Sequence, residues 1–408
     1  MQEQSQYAVG IDIGTRTVRC VVGHSDGSSG APNIIGIGQA PNSGMRKGVV
    51  SHLTGPAAAI DAALEVAERM SGHQVDRATL SVNGQHLLST KADGMIAVTA
   101  QDGEVTTDDV LRLEEVATTG KVPANRQVLE VVPHAYRLDG QDGIKHPVGM
   151  SGTRLELKAN VVSGLVPYLA NVRKTAEMAQ VEASRLVPAV LAAAQAVLTE
   201  AQRENGVAIV DIGASTTGVA VFEEGDLQHV AVIPMGAQHV TNDVAIGLKI
   251  DPELAEMVKL AHAQLDAADS GSFELTHQEQ TVTAEQSELD EIVEARYEEL
   301  CELVAKELKR AGGIGRMPSG VVLVGGGAKV RGMVEFAKRS LGLAAKLGMP
   351  AGYAGVSDEA KDPAFAAAVG LMLIDAESEY GETSSATRAG TAAKKAKGFL
   401  GKLWAKFH

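Results

Sequence analysis

Two short stretches of the chain place an aspartate, a glycine and hydroxyl residues in the same order. They are Gly10-Ile-Asp-Ile-Gly-Thr15 and Val210-Asp-Ile-Gly-Ala-Ser-Thr216. Asp12 and Asp211 each stand near the end of an apolar run, with Gly14 and Gly213 two residues later. Thr15 and Arg16 follow in the first copy; Ala214, Ser215 and Thr216 follow in the second. A turn of this kind presents backbone N–H groups and hydroxyls on one side, a concavity suited to phosphate oxygens. The glycine lets the backbone approach a ligand closely. The aspartate can hold a divalent cation, directly or through water, that bridges phosphates. One such turn is also what an ordinary hairpin looks like. Two copies about 200 residues apart, each heading a block of strands and a helix, mark a duplicated phosphate clasp. A third element, Val321-Val-Leu-Val-Gly-Gly-Gly-Ala328, runs a buried strand into Gly325, Gly326 and Gly327, which leave room for an adenosine against the backbone.

The elements that must position these turns follow from patterning. Residues 7–13, 18–23 and 34–38 read as a strand meander, 56–70 as a helix and 78–83 as a strand. From about 85 to 160 the texture changes: apolar stretches at 95–99, 128–132 and 155–162 flank a helix at 107–119, with Thr106 or Thr107 as its cap. This reads as an inserted αβ subdomain. A helix at 167–180, a strand at 181–187 and an alanine-rich helix at 188–203 lead into the second copy. There, strands at 207–213, 218–223 and 228–233 precede helices at 239–248, 252–262 and 289–311. The polar, acidic stretch 266–290 reads as an exposed loop or edge hairpin. A strand at 320–327 and a helix at 331–340 complete the second copy, a helix at 363–374 follows, and 377–392 is polar enough for a linker.

Composition sets the outer bounds. The 408 residues allow two to four domains, and 45% hydrophobic content can fill their cores. A net charge of −14 argues against nucleic acid as a partner, which calls for a basic footprint. Cys20 and Cys301 form no metal or disulfide pattern, which fits a reducing cytoplasm. The polar start carries no apolar signal segment, and no apolar run approaches the ~18 residues a spanning helix needs.

Taken together, the three elements resemble the actin/Hsp70/sugar-kinase ATPase superfamily, in which two RNase H-like domains sandwich ATP. Further motifs resemble the FtsA family of bacterial division proteins: Ile144-Lys-His-Pro-Val-Gly-Met-Ser-Gly-Thr-Arg154, Ile35-Gly-Ile-Gly38, Gly44-Met-Arg-Lys-Gly-Val-Val50 and Val131-Val-Pro-His-Ala-Tyr136. So do Ile233-Pro-Met-Gly-Ala-Gln-His-Val-Thr-Asn-Asp-Val244 and Ile292-Val-Glu-Ala-Arg-Tyr-Glu-Glu-Leu300. The resemblance is collinear from about residue 7 to 374. It implies an α/β actin-like fold around a nucleotide cleft. The first actin-like domain would comprise 1–84, 163–192 and 363–376, with the inserted subdomain at 85–162. The second would comprise 193–238 and 313–362, with 239–312 as its subdomain. The resemblance implies ATP and Mg2+ as cofactors, with Gly236 added to the binding residues and Asp12 and Asp211 at the metal. It implies self-association into filaments at the cytoplasmic face of the cell membrane. The FtsZ C-terminal tail would be bound at Arg296 and Glu299, and later division proteins through the inserted subdomain. The second clasp departs from the family's usual D-I-G-G-G-T-T-D: Ala214 and Ser215 replace glycines and Gly218 replaces an acid. With no clear general base either, slow or absent hydrolysis is the expectation. A pilus-assembly scaffold of the same fold and a small-molecule kinase are the competing readings.

The chain ends Lys394-Lys-Ala-Lys-Gly-Phe-Leu-Gly-Lys-Leu-Trp-Ala-Lys-Phe-His408. At about 100° per residue, Phe399, Leu400, Leu403, Trp404 and Phe407 share an arc of roughly 140°, with Lys394, Lys395, Lys402 and Lys406 outside it. From Arg388 onward there are six basic residues and no acidic one. Residues 393–408 therefore read as an interfacial helix for an anionic membrane surface, which a pilus-type scaffold would not need.

Overall fold

The computed structural model describes residues 6–25, 30–100, 103–266, 270–278, 280–355 and 358–385. The first half opens with β1 (Gln6–Ile13), β2 (Thr17–Ser25) and β3 (Asn33–Pro41), then the short β4 (Met45–Arg46) and β5 (Val49–Val50), α1 (Thr54–Ser71) and β6 (Arg77–Val82). The inserted unit is β7 (Leu88–Ala97), α2 (Thr107–Thr118), β8 (Arg126–Leu138), β9 (Gln141–Ile144) and β10 (Arg154–Leu165). The chain returns through α3 (Val166–Met178) and β11 (Glu182–Pro188), then crosses by α4 (Ala189–Val197) and α5 (Glu200–Asn205). The second half holds β12 (Val207–Ile212), β13 (Thr217–Glu223), β14 (Asp226–Ile233), α6 (Ala237–Gly247), α7 (Pro252–His262), β15 (Ser272–His277), β16 (Gln280–Glu285) and α8 (Gln286–Arg310). It closes with β17 (Val321–Val324), α9 (Met333–Leu341), β18 (Ala345–Leu347) and α10 (Ala366–Ser385).

The duplication expected from the two Asp-Gly turns is present strand for strand. One sheet runs β3-β2-β1-β6-β11 and the other β14-β13-β12-β17-β18. In each, the first three strands pair antiparallel and the last two join parallel. Two elements differ from the sequence reading, and a third resolves an alternative it left open. The alanine-rich helix 188–203 is two helices, because Thr199 and Gln202 form a capping box that starts α5 afresh. The acidic stretch resolves to the hairpin β15–β16. Helix α10 runs on to Ser385, past the 377 at which a linker was expected. The rest of that linker and the amphipathic segment 393–408 lie outside the described residues.

Helices α4 and α10 lie between the halves. α10 lays Ala368, Val369 and Met372 on Ala8 and Val21 of the first sheet. Its Ala367, Leu371 and Ile374 join Val190 and Leu191 of α4 against Ile209, Ala220 and Val322 of the second. The two helices touch backbone to backbone: a Cβ added at Gly370 would stand 1.7 Å from the Ala192 carbonyl oxygen. Buried Asp375 anchors α10 by accepting from Val9 N–H (2.9 Å), Thr79 Oγ1 (2.7 Å) and Ser184 Oγ (3.1 Å).

The inserted unit is a four-stranded sheet, β7-β10-β8-β9, with α2 across it. Thr106 and Asp109 close the cap of α2 reciprocally. Although its chain leaves the first half, this unit is fastened to the edge strand β14 of the second. Lys145 Nζ pairs with Asp226 Oδ2 at 2.6 Å, and Asn160 Nδ2 donates to the Leu227 carbonyl.

Gly370→Ala is expected to destabilise the protein by about 2 kcal/mol or more, because the obstacle is backbone and the helices must separate. Gly315, where a Cβ meets nothing within 4 Å, serves as the control: Gly315→Ala is expected to be near neutral. Urea unfolding of both variants checks this, and equal stability would show that the helices yield freely.

Candidate functional site

A cleft of about 850 Å³ opens where the two sheets face each other across α4 and α10. Both Asp-Gly turns line it, one from each half, as do Gly325, Gly326 and Gly327. This follows from the duplication: β1–β2 and β12–β13 are equivalent hairpins, so their turns meet at one place. Thr15 Oγ1 and Ser215 Oγ are 2.7 Å apart, and Arg16 Nη1 donates to Gln238 Oε1 at 2.6 Å. Thus hydroxyls from the two turns touch across the cleft. Of the expected binding residues, Ser215 and Gly236 stand off the cleft surface. Gly236 sits behind the second turn, where a Cβ would meet Gly213 O at 2.4 Å, and the N–H groups of Ala237 and Gln238 donate to Gly213 O and Ala214 O. Gly236 thereby shapes the second turn.

Asp12 and Asp211 both line the cleft, close enough to feel each other's charge. Burial, and then the neighbouring Asp12 carboxylate, push Asp211 up to about 7, against the lowering effect of Arg19. Burial also raises Asp12, opposed by Arg19 and by a Ser81 hydrogen bond. Both residues are half-buried where they line the cleft. No third His, Cys, Asp or Glu joins them as a metal cluster among the described residues. Two carboxylates with open volume suit a hard cation that keeps waters and takes phosphate oxygens, as Mg2+ does.

The glycine run meets the same test. Gly325 has φ +86° and carries the chain over Asp211, where a Cβ would stand 2.5 Å from Asp211 Oδ1. At Gly326 an added Cβ meets nothing within 4 Å, so the cleft wall there is bare backbone with room beside it.

Gly218, the departure from an acid, faces α4. A Cβ there would lie 2.8 Å from Val190 Cβ, so no carboxylate fits at that point with this helix in place. Its loss is coupled to the packing of α4 against β13.

Several cleft residues escaped the sequence reading. Arg19 lies opposite Asp12 in the β1–β2 register and lines the cleft. Cross-strand partners share a face, so hairpin symmetry could have found it. Lys259 and Glu256, one turn apart on α7, also line the cleft; they pair at 2.7 Å, and Lys259 Nζ donates to Thr241 Oγ1 at 2.9 Å. Lys329 joins from the segment after the glycines and pairs with Asp362.

The expected partner residues are elsewhere, on α8. Arg296 donates from Nε (2.6 Å) and Nη2 (3.0 Å) to Asp243 of α6, and from Nη1 to Glu299. The simple i,i+3 pair read from sequence is one side of a three-residue network.

Comparison with known proteins places this geometry. The family model described as "Cell division protein FtsA" matches residues 208–370, and that described as "SHS2 domain inserted in FTSA" matches 84–163. The cell division protein FtsA of Pseudomonas aeruginosa is 35% identical over 376 residues, 91% of this chain and 89% of that one. That of Bacillus subtilis is 36% identical over 375 residues, covering 90% and 83%. The chain belongs to the FtsA family of cell division proteins. The cell division protein FtsA of Escherichia coli K12 agrees, at 33% identity over 91% of each chain. Among solved structures, a PilM–PilN type IV pilus biogenesis complex aligns with TM-score 0.64 at 17% identity, covering 90% of this chain and 97% of that chain. MreB5 of Spiroplasma citri, bound to ADP in that structure, aligns with TM-score 0.56 at 13% identity, covering 93% and 99%. These two establish the actin-like fold. The pilus-scaffold alternative is set aside, since that likeness is one of fold while the sequence relatives are division proteins.

The raised carboxyls give a pH signature with a definite sign. The folded state holds the Asp211 proton up to about pH 7, whereas an unfolded aspartate releases it near pH 4. The folded state therefore binds more protons in between, and stability falls as pH rises through that window. Asp211→Asn is expected to flatten this fall in chemical denaturation of the ligand-free protein. An unchanged slope would contradict the burial argument.

Proposed function

We propose that this protein is an ATP-binding, filament-forming division adaptor that joins the FtsZ ring to the cytoplasmic membrane. The observation that carries the nucleotide part is the meeting of both Asp-Gly turns, with Asp12 and Asp211, in one cleft. A bound Mg·ATP would supply the positive and negative charges that cross-link the two halves. Asp12 and Asp211 would hold the cation, directly or through water. Thr15, Thr216 and the turn N–H groups would take phosphate oxygens, with Ser215 fixing Thr15 from behind and Arg19 adding positive charge. The Glu256 carboxylate, held by Lys259, would accept from sugar hydroxyls. Gly325–Gly327 leave the adenosine its room.

The partner side rests on family membership and on α8. Arg296 is half-buried and shares its guanidinium between two carboxylates. A guanidinium carries five donors, so an acidic peptide or terminal carboxylate can join this network or replace Glu299, the more exposed of its partners. The inserted subdomain would receive later division proteins. Among the described residues no helix is long and apolar enough to cross a membrane. Attachment would fall to Lys394, Lys395, Phe399, Leu400, Leu403, Trp404, Lys406 and Phe407, and filament assembly would multiply the weak grip of one short helix.

Co-sedimentation with anionic vesicles tests these parts together. FtsZ is expected to pellet with vesicles only when the full chain is present. Removing 393–408 should leave both proteins in the supernatant. Arg296→Glu should leave this chain in the pellet and release FtsZ, a loss of tenfold or more in affinity, about 1.4 kcal/mol. If the full chain pellets and FtsZ stays behind, the adaptor reading fails.

A further inference from the structure

The cleft has two chemically different ends. The Asp-Gly turns occupy one. Beyond the glycine run, the other is closed by the last turn of α7 and the first turn of α8. Leu260, Ala263, Gln264, Gln286, Val330 and Arg331 line it. With phosphates at the turns and the adenosine along the glycines, this far end faces the base.

Two buried glutamines share one carboxylate there. Gln286 Nε2 donates to Asp290 Oδ1 at 2.7 Å and to the His262 carbonyl at 2.9 Å. Gln264 Nε2 donates to Asp290 Oδ2 at 2.9 Å. Gln264 is 3% exposed and Gln286 7%. A glutamine amide can ordinarily be turned either way. Here it cannot, because a carboxylate and a carbonyl only accept. Both Nε2 protons of Gln286 are committed, so the polar group it can offer to the cleft is its carbonyl oxygen.

That oxygen discriminates between purines. Adenine carries an amino group at position 6, which donates. Hypoxanthine and guanine carry an oxygen there, which would face another oxygen. A site built to hydrogen-bond one partner rejects the analogue that lacks the donor, because buried polar groups are left unpaired. We propose that Gln286, with Gln264 beside it and Asp290 fixing both amides, selects adenine over 6-oxopurines. This inference rests on the nucleotide reading of the cleft and adds a residue-level origin for its base preference.

The test compares Mg·ATP with Mg·ITP, whose bases differ at position 6 (amino against oxo) and with it at N1 (acceptor against N–H), by titration calorimetry on the full chain. The wild type is expected to bind ATP at least tenfold tighter than ITP, about 1.4 kcal/mol. Asp290→Asn frees the amides to turn and should bring the ratio to about threefold or less. Gln286→Met removes the acceptor while leaving Asp290 its hydrogen bond from Gln264, and should do the same. Equal wild-type affinity for both nucleotides would overturn the proposal while leaving the cleft a nucleotide site. A ratio unchanged in Gln286→Met would also overturn it. Wild type that binds neither nucleotide would overturn both this and the nucleotide reading.

Discussion

The crossing of α4 and α10 is the constraint on which the rest of the molecule depends. Gly370 lets α10 lie against the Ala192 carbonyl with no side chain between. The small residues around it, Ala193, Ala194, Ala366 and Ala367, extend the contact. Helix α10 belongs to the cores of both halves, with α4 beside it against the second sheet, so the crossing sets how the two sheets face each other. Close-packed interiors transmit such a constraint instead of absorbing it. If the helices separated by the width of a methyl group, the turns that carry Asp12 and Asp211 would move apart.

What the crossing brings together is unfavourable by itself. Two carboxylates share a partly desolvated space, offset by Arg19 and, at Asp12, by a hydrogen bond from Ser81. Like charges in such a place keep protons or acquire a cation. The protein tolerates this at the one point where a charged ligand would relieve it, as strained polar arrangements commonly do. The same logic accounts for the second turn. Ser215 stands where a glycine is usual in the family, and its hydroxyl reaches Thr15. The added side chain thereby becomes a contact between the halves.

Much of this was legible in the sequence because it is local. Each Asp-x-Gly at the end of an apolar run is a strand followed by a turn, and the repetition announced two matching sheets. The cap of α2 was readable to within one residue, as Thr106 or Thr107, and the structure settles on Thr106. What the sequence hid is set by distant partners. Asp243, which takes Arg296, is 53 residues away along the chain. Asp375 accepts from Val9 across 366 residues. Lys259 and Glu256 look like a surface i,i+3 pair until α6 places Thr241 and the Ala237 carbonyl over them. The break between α4 and α5 was missed for another reason: the capping box at Thr199 and Gln202 sits inside a run of strong helix formers. The clasp of Lys145 on Asp226 gives the Ile144–Arg154 motif a structural task that patterning alone could not assign.

The central claim is that the two copies of the turn act on one nucleotide together. Amide hydrogen exchange on the full chain, with and without Mg·ATP, addresses it most directly. The account predicts slowed exchange in the peptides covering 9–17, 208–217 and 324–331 at once, with the segment around Arg296 unchanged. Protection confined to one half, or none at saturating nucleotide, would contradict it.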